Sequence, residues 1–443
     1  MARYLVSNLA QLENAFDQAS ENDHSVNKII FANEVDIALS SGLEYTGVGK
    51  LILEGNGSTV FAAEEFEEYD SDDCDLDGKG VALITSRSAA DVVIKNLTLD
   101  GFEGAAQHGF ELDVPRDAEG TINVLLKGVE ATGFWDHGIH IDDQAGETGQ
   151  GGTTQGGKDD GAGANSDASL SVKVIDSLIE GNGVWGDNGS ESDNDGLRVD
   201  EGGRGFAKVV IKNSEFINNG ADGFELDETG RGRAEVVVRD SKFNNNGPFD
   251  LDDTDDGLDV DEAGRGDLIV KLFNTELNSN YDEGLDLDEA DAGDLRLVMK
   301  NSEANDNGNF DLTGATDLGG TGVKLSEEGN GDIITNFKDV VANGNDEYGF
   351  RLEQFDGGEV RAQFRDVVAN DNEDKDGIRI ESYETADKEE PEILDPIDVF
   401  FKNVVASGNG DEDLQLDGNP LVVAYRGLVE FGIIDFSRTA FFV

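Results

Sequence analysis

An all-β solenoid of stacked coils, opened by a capping helix, is the fold this sequence predicts, and three observations carry it. Apolar residues alternate with others in short runs such as Val209/Ile211, Val236/Val238, Val270/Leu272, Leu297/Met299 and Val399/Phe401. That period of two belongs to strands, not helices. An Asn or Asp is followed six residues later by an Asn at Asp176/Asn182, Asn213/Asn219, Asp240/Asn246, Asn274/Asn280, Asn301/Asn307, Asp339/Asn345, Asp366/Asn372 and Asn403/Asn409. An acidic stretch also returns in register: "NDGLRVDEGGRG" (194–205), "NNGADGFELDETGRG" (218–232), "DDGLDVDEAGRG" (255–266) and "DEGLDLDEADAG" (282–293).

Residues 1–25 are expected to form the N-terminal cap. "SNLAQLENAFDQAS" opens on Ser7 as a helix N-cap and spaces Leu9, Leu12, Ala15 and Phe16 along one helical face. Coils follow over residues 26–420, each with a strand, an Asn-paired turn and a second short strand such as Phe224/Leu226 or Leu258/Val260. Midway through each turn stands Ile179, Phe216, Phe243, Leu277, Ala304, Ala342, Ala369 or Ala406. One such unit cannot bury its own apolar face, whereas stacked units share a continuous core. Asn suits the corners, because it tolerates left-handed backbone and its amide can hydrogen-bond from rung to rung.

Successive second Asn positions lie 37, 27, 34, 27, 38, 27 and 37 residues apart, so inserted coils alternate with compact ones. The insertions are "VWGDNGSESDN" (184–194), "PFDLDDTD" (248–255), "NFDLTGATDLGG" (309–320) and "YETADKEEPEILDP" (383–396). Acidic loops on alternate coils are the expectation. Residues 421–443 form the most apolar stretch and are expected to cap the far end, or to act as an export or assembly segment.

On this repeat pattern the chain resembles the right-handed parallel β-helix proteins of the pectin-lyase-like superfamily, over roughly residues 26–420. The resemblance implies an all-β, right-handed parallel β-helix solenoid with an N-terminal capping helix. It leaves the function open, since function lives in sites rather than folds.

Composition narrows the function. The 443 residues hold 96 acids against 33 bases, a formal net charge of −63. Such a charge excludes nucleic acid and anionic membrane as partners and favours cations. No apolar run is long enough to span a bilayer, so membrane insertion is not expected. The single Cys74 rules out an internal disulfide framework. The first twenty residues lack the basic start and apolar core of a signal peptide. An extracellular or cell-surface protein is expected, exported by a type I-like route, because the apolar C-terminal stretch resembles the terminal signal of proteins so secreted.

The acids themselves fall in columns. If Phe224 and Leu226 point inward, Glu225 and Asp227 point outward, and stacking aligns Asp200, Asp227, Asp261, Asp288, Ser326, Glu353 and Glu381. Glu201, Glu228, Glu262 and Glu289 form a neighbouring column. Carboxylates on adjacent coils, about 4.8 Å apart, repel by about 0.9 kcal/mol in water and about 3.5 kcal/mol at an effective dielectric of 20. Three things can offset this: a cationic column at Arg204, Arg231 and Arg265, protonation of some acids, or Ca²⁺, which takes six to eight oxygens in irregular geometry. Calcium is the expected cofactor. Its expected ligands are the two columns from Asp200 to Glu289 together with the loop acids Asp250, Asp252, Asp253, Asp255, Asp311 and Asp317.

One stretch carries chemistry of another kind. "FWDHGIHIDD" (134–143) gathers Asp136, His137, His140, Asp142 and Asp143. His137 precedes Gly138 as His108 precedes Gly109, so the two imidazoles should stack. As an active site these residues would supply a general acid and base. Pectin-degrading hydrolases of the resembled superfamily use Asp residues with an Asp-Gly, Asp-Asp and His-Gly set, and Asp136-His137-Gly138 with Asp142-Asp143 partly matches it. Their Arg-Ile-Lys substrate clamp is missing, and the motif order differs. The only nearby cations in sequence are Arg116, Lys127 and Lys158. The expected function is therefore an exported calcium-binding structural protein of a surface, matrix or filament, partnered by calcium, itself or neutral glycans. The alternative is a carbohydrate-active enzyme, a glycoside hydrolase, lyase or epimerase, with its site at 134–143.

Overall fold

A computed structural model describes residues 1–66, 82–144, 165–184, 194–248, 255–308, 319–383, 396–419, 421–436 and 441–442, with the side chains of 436, 441 and 442 left undescribed. The chain divides into two units, Met1–Arg231 and Gly232–Val443. Each is right-handed parallel β-helix.

In the first unit one sheet runs Ala2–Val6, Val26–Phe31, Lys50–Ala62, Val92–Asp100, Glu119–Thr132 and Asp167–Ile175, every neighbouring pair parallel. The opposing sheet stacks Leu43–Tyr45, Ile84–Ser86, Phe110–Asp113, Ile139–Asp143, Leu197–Glu201 and Phe224–Glu228. The helix Leu9–Glu21 buries Leu12, Ala15, Phe16 and Ala19. Its N-cap is Asn8 rather than Ser7: Gln11 N donates to Asn8 Oδ1 at 3.1 Å, and Ser7 N donates back to Gln11 Oε1 at 2.8 Å. That reciprocal pair moves the helix start one residue on. The strand Ala2–Val6 before it, not foreseen from sequence, adds a rung beside Val26–Phe31.

The second unit repeats the plan. Ala234–Asn244, Leu268–Glu276, Leu295–Glu303, Ile333–Val341, Val360–Asn370 and Ile397–Ser407 form one sheet. Leu258–Gly264, Leu285–Asp291, Val323–Gly329, Phe350–Phe355, Ile378–Tyr383 and Leu414–Asp417 form the other. Alternate apolar side chains fill the space between, among them Phe337, Phe350, Phe364 and Phe401 with successive ring centroids 4.8–5.5 Å apart. Leu421–Phe431 and Ile434–Phe436 pair onto the preceding rungs as a further coil. Leu421 and Val423 are buried there, while Tyr425, Leu428, Ile433 and Ile434 stay exposed.

The two members of each Asn pair divide the work at the corner. The first members, Asp176, Asn213, Asp240, Asn274, Asn301, Asp339, Asp366 and Asn403, all sit at φ between 50° and 55°. The second members form amide ladders inside. Asn182 Nδ2 donates to Asn219 Oδ1 at 3.0 Å in the first unit. In the second, Asn246, Asn280, Asn307, Asn345, Asn372 and Asn409 continue rung to rung at 2.8–3.1 Å. Asn280 also donates to Phe243 O at 3.1 Å and accepts from Asn246 N at 3.2 Å. Asn280→Ala should therefore cost about 1–3 kcal/mol for each buried group it leaves unpaired. Thermal melting should show a drop of several degrees. Asn301→Gly, at a left-handed corner where Gly is at ease, should leave the melt almost unchanged; equal losses at both sites would contradict the division of roles.

Candidate functional site

The opposing sheet of the first unit brings the chemistry together. Register aligns Glu111, His140, Arg198 and Glu225 in one column and Asp113, Asp142, Asp200 and Asp227 two residues further on. Ile139 and Ile141 point into the core, so His140 and Asp142 take the other face. At the corner before the strands Asp195 N donates to His137 Nδ1 at 2.9 Å, and Asp222 N donates to Asp195 Oδ1 at 2.9 Å. This outward face is buried all the same: every residue of Ile139–Asp143, Leu197–Glu201 and Phe224–Glu228 is shielded. Long polar side chains on adjacent rungs pack against and pair with one another.

His108 and His137 stack as the sequence predicts, with centroids 5.3 Å apart and rings 8° from parallel. His140 lies tilted at 5.4 and 4.9 Å from them. Burial pulls the His108 and His137 pKa values well down, and burial with the nearby Arg198 charge brings His140 to about 3. All three are neutral at physiological pH. Because His137 Nδ1 accepts the Asp195 amide, its proton sits on Nε2, 3.3 Å from Asp136 Oδ1. Gln107 Nε2 donates to the other Asp136 oxygen at 3.0 Å. His140 Nε2 donates to Asp200 Oδ2 at 2.8 Å.

Arg198 is the residue that reading along the chain missed. Its guanidinium lies 3.1 Å from Asp200, 2.6 Å from Glu225, 3.0 Å from Asp227 and 3.5 Å from Asp195. It is 58 residues from His140 in sequence yet on the next rung, because "LRVDE" pairs with "IHIDD". The repeat register held that signal; a search for cations near 134–143 could not. Arg87, 2.8 Å from Asp113, was missed for the same reason. Of the cations named from sequence, Arg116 is exposed and Lys127 lies 4.0 Å from Asp176 instead. Asp143 leaves the imidazole cluster as well. Its carboxylate accepts from Ser166 N and Oγ at 2.9 and 2.6 Å and stacks in register with Glu201. Asp142 stays beside His140 and Asp200, three groups close enough to share one cation.

The expected calcium columns are real columns. Asp200 pairs in register with Asp227, and Asp261 with Asp288, Ser326, Glu353 and Glu381 in the second unit. Glu201 stacks on Glu228, and Glu262 on Glu289 and Glu327. The Glu side chains are fully buried, and each Oε1 accepts a backbone N–H from a Gly of the following turn, such as Gly266 to Glu262 at 2.9 Å and Gly331 to Glu327 at 2.8 Å. Neighbouring carboxyls also hydrogen-bond to one another. Burial first, and the neighbouring Glu228 next, lift Glu201 to about 9; burial and Glu289 lift Glu327 equally far. Asp288 rises to about 8 through burial and Asp286. The expected cationic column does not offset these acids. Arg204, Arg231 and Arg265 are exposed, with Arg204 3.7 Å from Asp167. Asp255 is half-buried. Asp250, Asp252, Asp253, Asp311 and Asp317, with Cys74, Lys158 and Trp185, lie outside the described residues.

No protein-family profile matches the chain, and no curated protein matches it in sequence. Among solved structures it is similar to the A-module of a mannuronan C-5 epimerase from Azotobacter vinelandii, at 13% identity and a TM-score of 0.51, covering 99% of this chain and 98% of that one. It is also similar to a periplasmic alginate epimerase, at 11% identity and a TM-score of 0.51, covering 96% of this chain and 82% of that one. At these identities the likeness shows the fold, a parallel β-helix. Among the described residues no helix is long and apolar enough to cross a membrane.

Proposed function

We propose that the protein is a polysaccharide-modifying enzyme of the epimerase or lyase type, acting on a uronic-acid polymer at the face built by His137, His140, Asp200 and Arg198. The observation that carries this reading is the chain of contacts from His140 through Asp200 to Arg198. Asp200 accepts from His140 Nε2 at 2.8 Å and from Arg198 Nε at 3.1 Å. The carboxylate holds the imidazole in one tautomer and leaves the Nδ1 lone pair to take a proton. Burial and the Arg198 charge keep that nitrogen unprotonated in the free protein, and the substrate carboxylate would offset the Arg198 charge as the proton transfers. The proton α to a uronate carboxylate passes to Nδ1, and the resulting carbanion either takes a proton back at C5 from water or expels the sugar oxygen at C4. Arg198 on the next rung, ion-paired through Asp200, supplies positive charge beside that step.

Two similar structures that span nearly the whole chain are epimerases of mannuronan or alginate. That weighs toward an enzyme and away from a purely structural matrix protein. One of them is periplasmic, which supports a location outside the cytoplasm for this chain.

The net charge of −63 repels a polyanion, so the assay belongs in millimolar calcium. Polymannuronate, alginate and pectate would be incubated with the full chain in D₂O. Deuterium at C5 reports epimerisation, and ultraviolet absorbance of unsaturated ends reports elimination. His140→Ala, checked for folding by circular dichroism, should lower the rate at least about 10²-fold. No exchange and no product from any of the three polymers would overturn the reading and restore the matrix protein. So would full activity in His140→Ala.

A further inference from the structure

The second unit holds a group of acids that neither the carboxylate columns nor the imidazole face includes. Asp256, Asp282 and Glu283 bring one oxygen each within 4.8 Å of one another, and so do Asp256, Asp259 and Asp286. The two triads share Asp256. We propose that these five residues form a binding site for one hard divalent cation of the calcium class.

Two observations beyond the clustering of acids point there. Asp286 is only 8% exposed, and its Oδ1 is buried with no hydrogen-bond partner, while Oδ2 accepts from Lys324 Nζ at 2.6 Å. Asp282 Oδ1 is likewise buried and unpartnered. An unpaired buried carboxylate oxygen is costly to leave dry, and a cation is the partner it lacks. Lys324 reaches Asp286 and, at 3.8 Å, Glu283, and the Arg351 charge also acts on Glu283, but none of these contacts serves the two unpartnered oxygens.

The donor set chooses the ion. Oxygen-only ligands exclude soft metals. Oxygens on opposite sides of a bound Ca²⁺ stand about 5 Å apart, against about 4 Å for Mg²⁺, and Mg²⁺ keeps water in place of most carboxylates. Two carboxylate triads that share Asp256, each with its oxygens within 4.8 Å of one another, suit calcium. The sequence placed calcium on the Asp261/Asp288 and Glu262/Glu289 columns; this site lies beside them, on the corner and on the strand position two residues earlier. It does not rest on the enzymatic reading.

The test uses the full chain, stripped with chelator, exchanged into buffer and titrated with CaCl₂ by calorimetry. Asp256→Asn keeps an Oδ1 acceptor for Glu283 N, which donates to it at 2.6 Å, so the turn should survive. Asp256→Asn combined with Asp282→Asn should bind one Ca²⁺ fewer than the parent. Should the pair fail to fold, half-buried Asp282→Asn alone should weaken that site at least tenfold. Tb³⁺ luminescence excited through Tyr281, next to Asp282, should fall in parallel. Unchanged stoichiometry and affinity in a folded variant would overturn the site, as would a parent that binds no calcium. Magnesium binding as tightly as calcium would overturn the assignment of the ion.

Discussion

Arg198→Met should destabilise the first unit at neutral pH by at least about 3–5 kcal/mol, the usual loss when one partner of a buried ion pair is removed. Four carboxylates face this guanidinium within 3.5 Å, and the side chain is almost fully buried. Methionine fills a similar volume, so lost packing contributes little. What remains is Asp195, Asp200, Glu225 and Asp227 with their principal cation gone. The loss should shrink in acid, where those carboxyls accept protons instead. Glu225→Gln with Asp227→Asn should rescue part of it at pH 7.

The same variant carries a second readout that packing loss would not produce. Arg198 is one of the causes that hold the His140 pKa down, after burial. In any folded fraction of Arg198→Met the His140 imidazole resonance should titrate at higher pH than in the parent. Urea melts at pH 5 and pH 8, together with histidine NMR, check both. A variant as stable as the parent at pH 8 would show that the four acids are neutralised some other way.

Much of the architecture was legible because a solenoid writes its register into the sequence. Asn182 and Asn219, and Asn246 with its successors, could be aligned by eye, and within each unit the aligned residues do stack. The His108/His137 stack followed from the shared His-Gly corner. Burial was harder to read. Glu201 and Glu262 look like exposed acids in an acidic chain, and only the structure shows their oxygens turned onto the glycine amides of the next turn. The site was half legible for a related reason. His137 and His140 are close in sequence, whereas Asp195, Arg198 and Asp200 reach them only through rung pairing. The calcium-class site was missed because its acids lie on two other columns, Asp256/Glu283 and Asp259/Asp286, beside the ones that the sequence picked out.

Raising the pH from 5 to 9 should destabilise the protein steeply, and the buried Glu ladder should account for much of the slope. Glu201 and Glu327 are each lifted from 4.5 to about 9, by burial first and then by the Glu on the adjacent rung. Glu289, between Glu262 and Glu327, is raised as well. A carboxyl with a raised folded pKa contributes its full stability below the unfolded value, near 4.5, and loses it as the pH climbs through about 9. Within that window each such proton is worth about 1.4 kcal/mol per pH unit.

The net charge of −63 pushes in the same direction, because self-repulsion also grows as acids ionise. Salt separates the two. Molar NaCl screens exposed charges over a few ångströms but reaches a fully buried ladder poorly. The chain also contains its own neutral control, since Gln354 occupies the rung after Glu327 and donates from Nε2 to Gly357 O at 3.1 Å. Glu327→Gln should thus be nearly neutral at pH 5, raise the melting temperature at pH 9, and flatten the pH slope even in molar salt. A slope that vanishes in salt, or that Glu327→Gln leaves unchanged, would assign the effect to the surface instead of the ladder.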